Sequence, residues 1–299
     1  MKSQLKHYFH LHFIVFIWGF TAVLGKLISI DALPLVWYRM GIASFLILGI
    51  VAIKRYSLRV SKKTLMYLSF AGAALALHWV TFFLAIKVSN VSIALATMST
   101  GAFFTAILEP IWYKRKLIWY ELLFGVVVIL GLLLIFKVET QYALGMGIAV
   151  ISAFMSVIFT LINGKLVKEE KSTLISFYEL SIGVLLLSVF LGVQGGFTPE
   201  FFQLSSNDWI LIFILASVCT AYAFIGGVHV MKYITPYTVA LTINLEPVYG
   251  IILAFVIFGE SERMNPMFYL GALIILATVI ANGILKNKDK LKNQNSIQG

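Results

Sequence analysis

Leu24-Gly25-Lys26-Leu27-Ile28 returns later in the chain as Asn163-Gly164-Lys165-Leu166-Val167, and Trp37-Tyr38-Arg39-Met40-Gly41-Ile42 returns as Phe177-Tyr178-Glu179-Leu180-Ser181-Ile182. Both echoes are spaced by about 140 residues in a chain of 299. Almost every stretch of about 20 residues between them is apolar enough to span a bilayer. Repeated halves in a polytopic membrane protein place a substrate site between them near the midplane.

Composition sets the class. Charged residues make up 12% and hydrophobic residues 60%, with a mean hydropathy of +0.94, whereas a soluble domain carries about 25% charged residues. Lipid leaves only helices or closed barrels, and continuous apolar runs lack the alternation of a barrel strand. The pattern predicts an all-α integral membrane fold of ten spans, near 11–30, 35–53, 64–86, 91–113, 118–137, 144–165, 173–194, 209–231, 238–258 and 267–285. The first five form one repeat (11–137) and the last five a second (144–285). Five is odd, so the second half enters from the opposite side and the repeat is inverted.

The net charge of +10 does not indicate nucleic acid. With the N-terminus in the cytoplasm, the two tails and the even-numbered loops hold 18 of the 23 basic residues. That is the positive-inside asymmetry, and it predicts cytoplasmic termini. The single cysteine, Cys219, precludes an internal disulfide. The apolar run after Lys2 and Lys6 has no small-residue cleavage site and reads as the first span, not as a removed signal peptide. Residues 286–299, rich in Lys, Asn and Gln, read as a disordered cytoplasmic tail.

Ionisable groups inside a membrane are costly and invite functional questions. Glu246 falls about 12 Å into span 9 at 1.5 Å per residue. Pro247 follows it and frees a backbone carbonyl one turn earlier. Thr242, Glu246 and Tyr249 share a helical face with Thr238. Depth makes Glu246 the candidate for proton exchange during a transport cycle. Leu108-Glu109-Pro110 matches Leu245-Glu246-Pro247, but that register puts the following helix about nine residues out of step, so the match reads as coincidence. Arg39 and Glu179 hold equivalent places in the two halves. Inversion sends Arg39 toward the outer face, as a vestibule charge, and Glu179 toward the inner one.

Several spans carry mixed aromatic and hydroxyl faces. Span 1 has Trp18 and Thr21; span 3 has His78, Trp79 and Phe82; span 4 has Thr97 and Thr100; span 8 has Tyr222. Span 6 aligns Ser152, Ser156, Thr160 and Asn163, as helix-packing glue or as a cavity wall. Such faces suit a small amphiphile whose body stacks while its polar end is hydrogen-bonded. His7, His10 and His12 do not converge as metal ligands, and no zinc-protease, phosphate-loop or nucleophile–base pattern occurs. No metal, cofactor or catalytic residue is expected.

Trp18-Gly19, Trp37-Tyr38-Arg39, Glu246-Pro247-Val248, Phe258-Gly259-Glu260 and Gly271 are the residues on which the chain resembles the EamA-like exporters of the drug/metabolite transporter superfamily, over about Phe13 to Leu285. Two departures stand out. Span 4 carries Gly101 where many relatives have proline, and Lys114-Arg115-Lys116 replaces a Gly-Glu-Arg turn. The resemblance implies a secondary transporter in the bacterial cytoplasmic membrane, working by alternating access around a cavity lined by spans 1, 3, 4, 6, 8 and 9. The expected partners are a small-molecule substrate, the lipid bilayer and protons, with a monomer or homodimer both open. The leading expectation is efflux of an amino acid or related amphiphile. An importer or exchanger of sugars, nucleotide-linked compounds or organic anions is the alternative, and it favours a basic residue deep in span 9 where this chain has Glu246. An intramembrane enzyme would need a catalytic pair at one depth, and a structural subunit would not need converging polar faces.

Overall fold

A computed structural model describes residues 2–234, 239, 242, 243 and 245–298; Thr238 and Gly299 lie outside them. The described chain is helical throughout: α1 (Lys2–Leu27), α2 (Ala32–Ile53), α3 (Lys62–Val88), α4 (Val91–Met98), α5 (Gly101–Tyr113), α6 (Trp119–Val138), α7 (Ala143–Leu166), α8 (Ser172–Val193), α9 (Ser206–Ala216), α10 (Ala223–Val230), α11 (Glu246–Phe258) and α12 (Pro266–Gln298).

Among the described residues, eight helical segments are long and apolar enough to cross a membrane, from Leu5–Leu27 to Ser206–Val230. They coincide with the first eight expected spans, except that the first begins and ends earlier. Two segments are not simple helices. Span 4 is broken between α4 and α5 at Ser99–Thr100, and span 8 passes from α9 to α10 through a π-helical run, Ser217–Tyr222. The remaining two spans rest on α11, of 13 residues, and on α12, whose apolar described part is Pro266–Thr278. The backbone of α12 continues helical to Gln298, through the segment expected to be disordered. Residues 286–298 hold neither proline nor glycine to stop a helix.

Short polar side chains fix the helix starts. Ser61 accepts from Thr64 N (3.0 Å), Asn90 Oδ1 from Ile93 N (2.8 Å) and Ser205 from Asp208 N (3.0 Å), each satisfying an otherwise orphaned amide. α5 ends at Lys114, which takes the left-handed conformation (φ 52°).

α3 is the central element, packed on α7 and α8; α2 also packs on α8, and α1 packs on α11. α6 and α12 form a pair at the periphery, where lipid-facing Trp119, Leu123 and Leu130 are exposed. They meet backbone to backbone: a Cβ on Gly131 would stand 3.1 Å from Gly271 O, and one on Gly271 would stand 2.9 Å from Gly131 O. Only glycine permits that approach.

Each end of the bundle is tied by buried carboxyl groups. At one end Glu262 accepts from Lys26 Nζ (2.7 Å), Val91 N (3.1 Å), Ser92 N (3.0 Å) and Ser92 Oγ (2.8 Å). It therefore joins the end of α1 to the start of α4, where exposed amides favour an anion. Beside it Asp208 accepts from Ser29 N and Ser29 Oγ, both at 2.7 Å. At the opposite end Arg115 donates to Glu109 (2.9 Å) and Glu121 (2.8 Å). Burial lowers the proton affinity of Arg115, but its bonds to Glu121 and Glu109 outweigh that and raise it above the ordinary guanidinium value.

Candidate functional site

Between these tied ends lies a cavity with about 770 Å³ of empty space, counted to where it opens. α1 contributes Trp18 and Thr21, α3 contributes His78, Trp79 and Phe82, and α7 contributes Ser156, Thr160 and Asn163. Glu246, at the start of α11, closes one side. These nine were expected from the sequence. A second space of about 580 Å³ adjoins the first, and Ser156, Thr160 and Glu246 border both.

Six residues are placed differently from the sequence expectation. Arg39, expected at an outer vestibule, is 1% exposed and lines the cavity that Glu246 lines. Tyr222, expected in the cavity, is 46% exposed and bonds to His10 Nε2 (3.1 Å). The wider turns of the π-helical run shift it around the axis, away from the interior. Thr97 and Thr100 are fully buried but do not border the cavity. Thr97 lies on the last turn of α4 and Thr100 in the break that follows it, and Thr100 Oγ1 donates back to Thr97 O (2.8 Å). Tyr249 packs edge-on against Phe16, with ring centres 5.5 Å apart, in the α1–α11 seam. Thr242 is buried without bordering the cavity.

The π-helical run also positions Arg39. Thr220 Oγ1 donates to Leu215 O (2.8 Å), five residues back, and accepts from Arg39 Nε (2.6 Å). The Arg39 guanidinium then lies over the Trp79 ring, its central carbon 3.7 Å from the ring centre. Nη1 has no hydrogen-bond partner. A delocalised, weakly hydrated cation tolerates such a place better than an ammonium would. Arg39 and Glu246 thus share one chamber, yet no ion pair joins them among the described residues.

The hydroxyl groups have a defined polarity. Ser156 Oγ donates to Ala153 O (2.8 Å) and Thr160 Oγ1 to Ser156 O (2.7 Å), both along their own helix. Their protons are spent on α7, so toward a ligand both groups act as acceptors. His78 is held from α7: its Nδ1 lies 3.0 Å from Ser152 O, an acceptor only, so that nitrogen carries the proton. Ser152 Oγ returns a bond to His78 O (2.8 Å). The span 6 stripe therefore divides, with Ser152 joining helices and Ser156, Thr160 and Asn163 bordering the cavity.

Aromatic walls complete the chamber. Phe159 and Phe224 stand with ring centres 6.1 Å apart, and Trp79 meets Phe224 at 6.0 Å. Phe159, Phe224, Met98, Gly227, Val228, Met231 and Ile243 line the cavity without having been singled out from the sequence. Phe159 was within reach, since it lies beside Thr160 on the polar stripe. The others look like any apolar residue of a span. Among the described residues no cluster of His, Cys, Asp and Glu could hold a metal ion.

A model of the EamA-like transporter family matches residues 7–137 and again 143–283. An uncharacterized transporter of Archaeoglobus fulgidus is 25% identical over 286 residues, covering 93% of this chain and 97% of that protein. An uncharacterized transporter of Clostridium kluyveri is 21% identical over 264 residues, covering 85% of this chain and 84% of that protein. A solved structure, described only as a crystal structure of a protein, is similar with a TM-score of 0.68 over 93% of this chain and 96% of that one. At 13% identity that likeness speaks for the fold alone.

Proposed function

Because this chain belongs to the EamA-like transporter family, and is a multi-pass membrane protein, we propose that it is a secondary carrier exporting a small zwitterionic amphiphile, an amino acid with a large apolar side chain. The observation that carries the reading is the joint presence of Arg39 and Glu246 in one aromatic chamber. Arg39 offers an unsatisfied N–H to a carboxylate. Glu246, with the acceptor oxygens of Ser156 and Thr160, offers the complement of an ammonium group. Trp79, Phe159 and Phe224 offer faces for an apolar or aromatic side chain. A zwitterion pairs both buried charges at once, which neither an amine nor an acid can do.

In this reading ten spans form two inverted five-helix halves in a bacterial cytoplasmic membrane, with both termini cytoplasmic. The Glu262–Lys26 end is then extracellular and closed, and alternating access requires those bonds to break while bonds at the Arg115 end form. Glu246 holds the substrate ammonium and a proton by turns across the cycle, its carboxylate taking up a proton from water when the ammonium leaves. The chain performs no chemistry on its cargo.

A second reading, carriage of an organic anion, is favoured by the unpaired Nη1 of Arg39. Phenylalanine, phenethylamine and 3-phenylpropionate separate the two, since they share a body and differ in charged groups. Thermal stabilisation of the purified protein and counterflow in proteoliposomes should respond to phenylalanine most strongly. A response to 3-phenylpropionate alone would establish the anion carrier, and no preference among the three would end the zwitterion reading.

A further inference from the structure

Behind the α7 wall of the cavity lies a second carboxyl group that the transport reading leaves unused. Glu179, on α8, is 0% exposed. Asn163 Nδ2 donates to its Oε2 at 3.1 Å. Glu179 Oε1 has no partner, and neither has Asn163 Oδ1, although both are buried. A buried carboxyl and the amide bonded to it each keep one bare acceptor, so both partners of this pair are short of a donor hydrogen.

Among the described residues no cation supplies it. Arg39 on α2 is committed to Thr220 and Trp79. His78 on α3 is bonded to Ser152, and Lys165 on α7 lies over Tyr67 and Trp112. His229 on α10 packs on Tyr233. None of the four is bonded to Glu179. The backbone cannot shift to relieve the carboxyl either: α3 presses so close that a Cβ on Gly72 would stand 2.8 Å from Glu179 O.

We propose that Glu179 and Asn163 form a proton-binding site whose occupancy sets which end of the Asn163 amide faces the substrate cavity. A proton taken from cavity water forms one O–H bond on the Glu179 carboxyl and breaks none within the protein. The acid must then donate, and Asn163 offers its Oδ1 by a half-turn of its amide, which carries Nδ2 to the place Oδ1 held. Asn163 borders the cavity. With Glu179 ionised, the wall presents a carbonyl acceptor; with Glu179 protonated, it presents an N–H donor. An ammonium-bearing solute finds its partner in the first state and is repelled in the second. Proton uptake and solute release are thereby linked through one amide. This linkage rests on the zwitterion reading; the proton site does not.

Infrared titration of the full-length protein in detergent tests the site without any solute. The carbonyl stretch of a protonated, hydrogen-bonded carboxyl should titrate in the wild type, vanish in Glu179→Gln and persist in Glu246→Gln. In Asn163→Leu, which keeps Glu179, the band should move to the frequency of an acid without a hydrogen-bond acceptor. An unchanged spectrum in Glu179→Gln at every pH, or an unmoved band in Asn163→Leu, would overturn the proposal. If Glu179→Gln does not fold, the Asn163→Leu band decides alone. Failure of the phenylalanine series with the infrared result intact would remove the zwitterion reading and leave the proton site standing.

Discussion

The Arg39 guanidinium carbon lies 3.7 Å from the centre of the Trp79 ring, held there by a bond from Nε to Thr220 while Nη1 stays unpaired. In the zwitterion reading, this cation, clamped on one side and free on the other, receives the substrate carboxylate. Lysine cannot lie flat on the indole or fork toward two oxygens. Arg39→Lys should fold and keep its charge, yet lose about 2 kcal/mol of the stacked geometry, or roughly thirtyfold in phenylalanine affinity. Thermal-shift titration checks this, and wild-type affinity in the variant would contradict it.

Glu246→Gln separates hydrogen bonding from ionisation, because the amide keeps size and polarity but cannot exchange a proton. The variant should bind phenylalanine more weakly, for want of the ammonium's counter-charge, and at saturating phenylalanine should lose flux driven by a pH gradient in proteoliposomes. Gradient-driven flux equal to wild type would remove Glu246 from coupling.

Glu262 holds four donors from α1 and α4. Glu262→Ala should release that end and favour the conformation open there. Cys219 is the chain's one cysteine, and it is buried. A membrane-impermeant maleimide added outside intact cells should label it slowly in the wild type and several-fold faster in Glu262→Ala. Equal rates would show that the carboxylate is not a latch.

Reporter fusions after Gln141 and after Lys171 should report outside and inside, respectively. The reverse pattern would overturn the orientation, the inverted repeat and the assignment of the Glu262 end to the exterior.

Arg115 neutralises two buried carboxylates at once. Removing it takes the guanidinium from both, and loss of one partner from a buried ion pair costs about 3 kcal/mol. Arg115→Ala should lower the melting temperature markedly, with Arg115→Lys intermediate; an unchanged melting temperature would refute the role.

How far these residues could be read from sequence depends on where helical periodicity holds. Trp18, His78, Trp79, Ser156, Thr160 and Asn163 lie on uninterrupted helices, where spacing fixes the face. Thr97, Thr100 and Tyr222 lie next to the break at Ser99–Thr100 or within the π-helical run, and there spacing misassigns the side. Arg39 was misjudged for another reason. Its distance along α2 was legible, but the Thr220 and Trp79 sites that draw it inward come from helices far away in the chain. The tie between Asn163 and Glu179 crosses from α7 to α8 and has no periodic signature. Arg115 had a local one, since Glu109 and Glu121 each stand six residues away from it in sequence.

Gly131 and Gly271 leave no gap between α6 and α12, so these outer helices can only travel together, like two planks glued edge to edge. If one comes from each half, the halves share a fixed axle at the periphery. Any swing must then be taken up where the inner helices are already interrupted, at Ser99–Thr100 and at Ser217–Tyr222. The joints of the machine would therefore sit beside its cargo, and the lipid would face the part that does not bend.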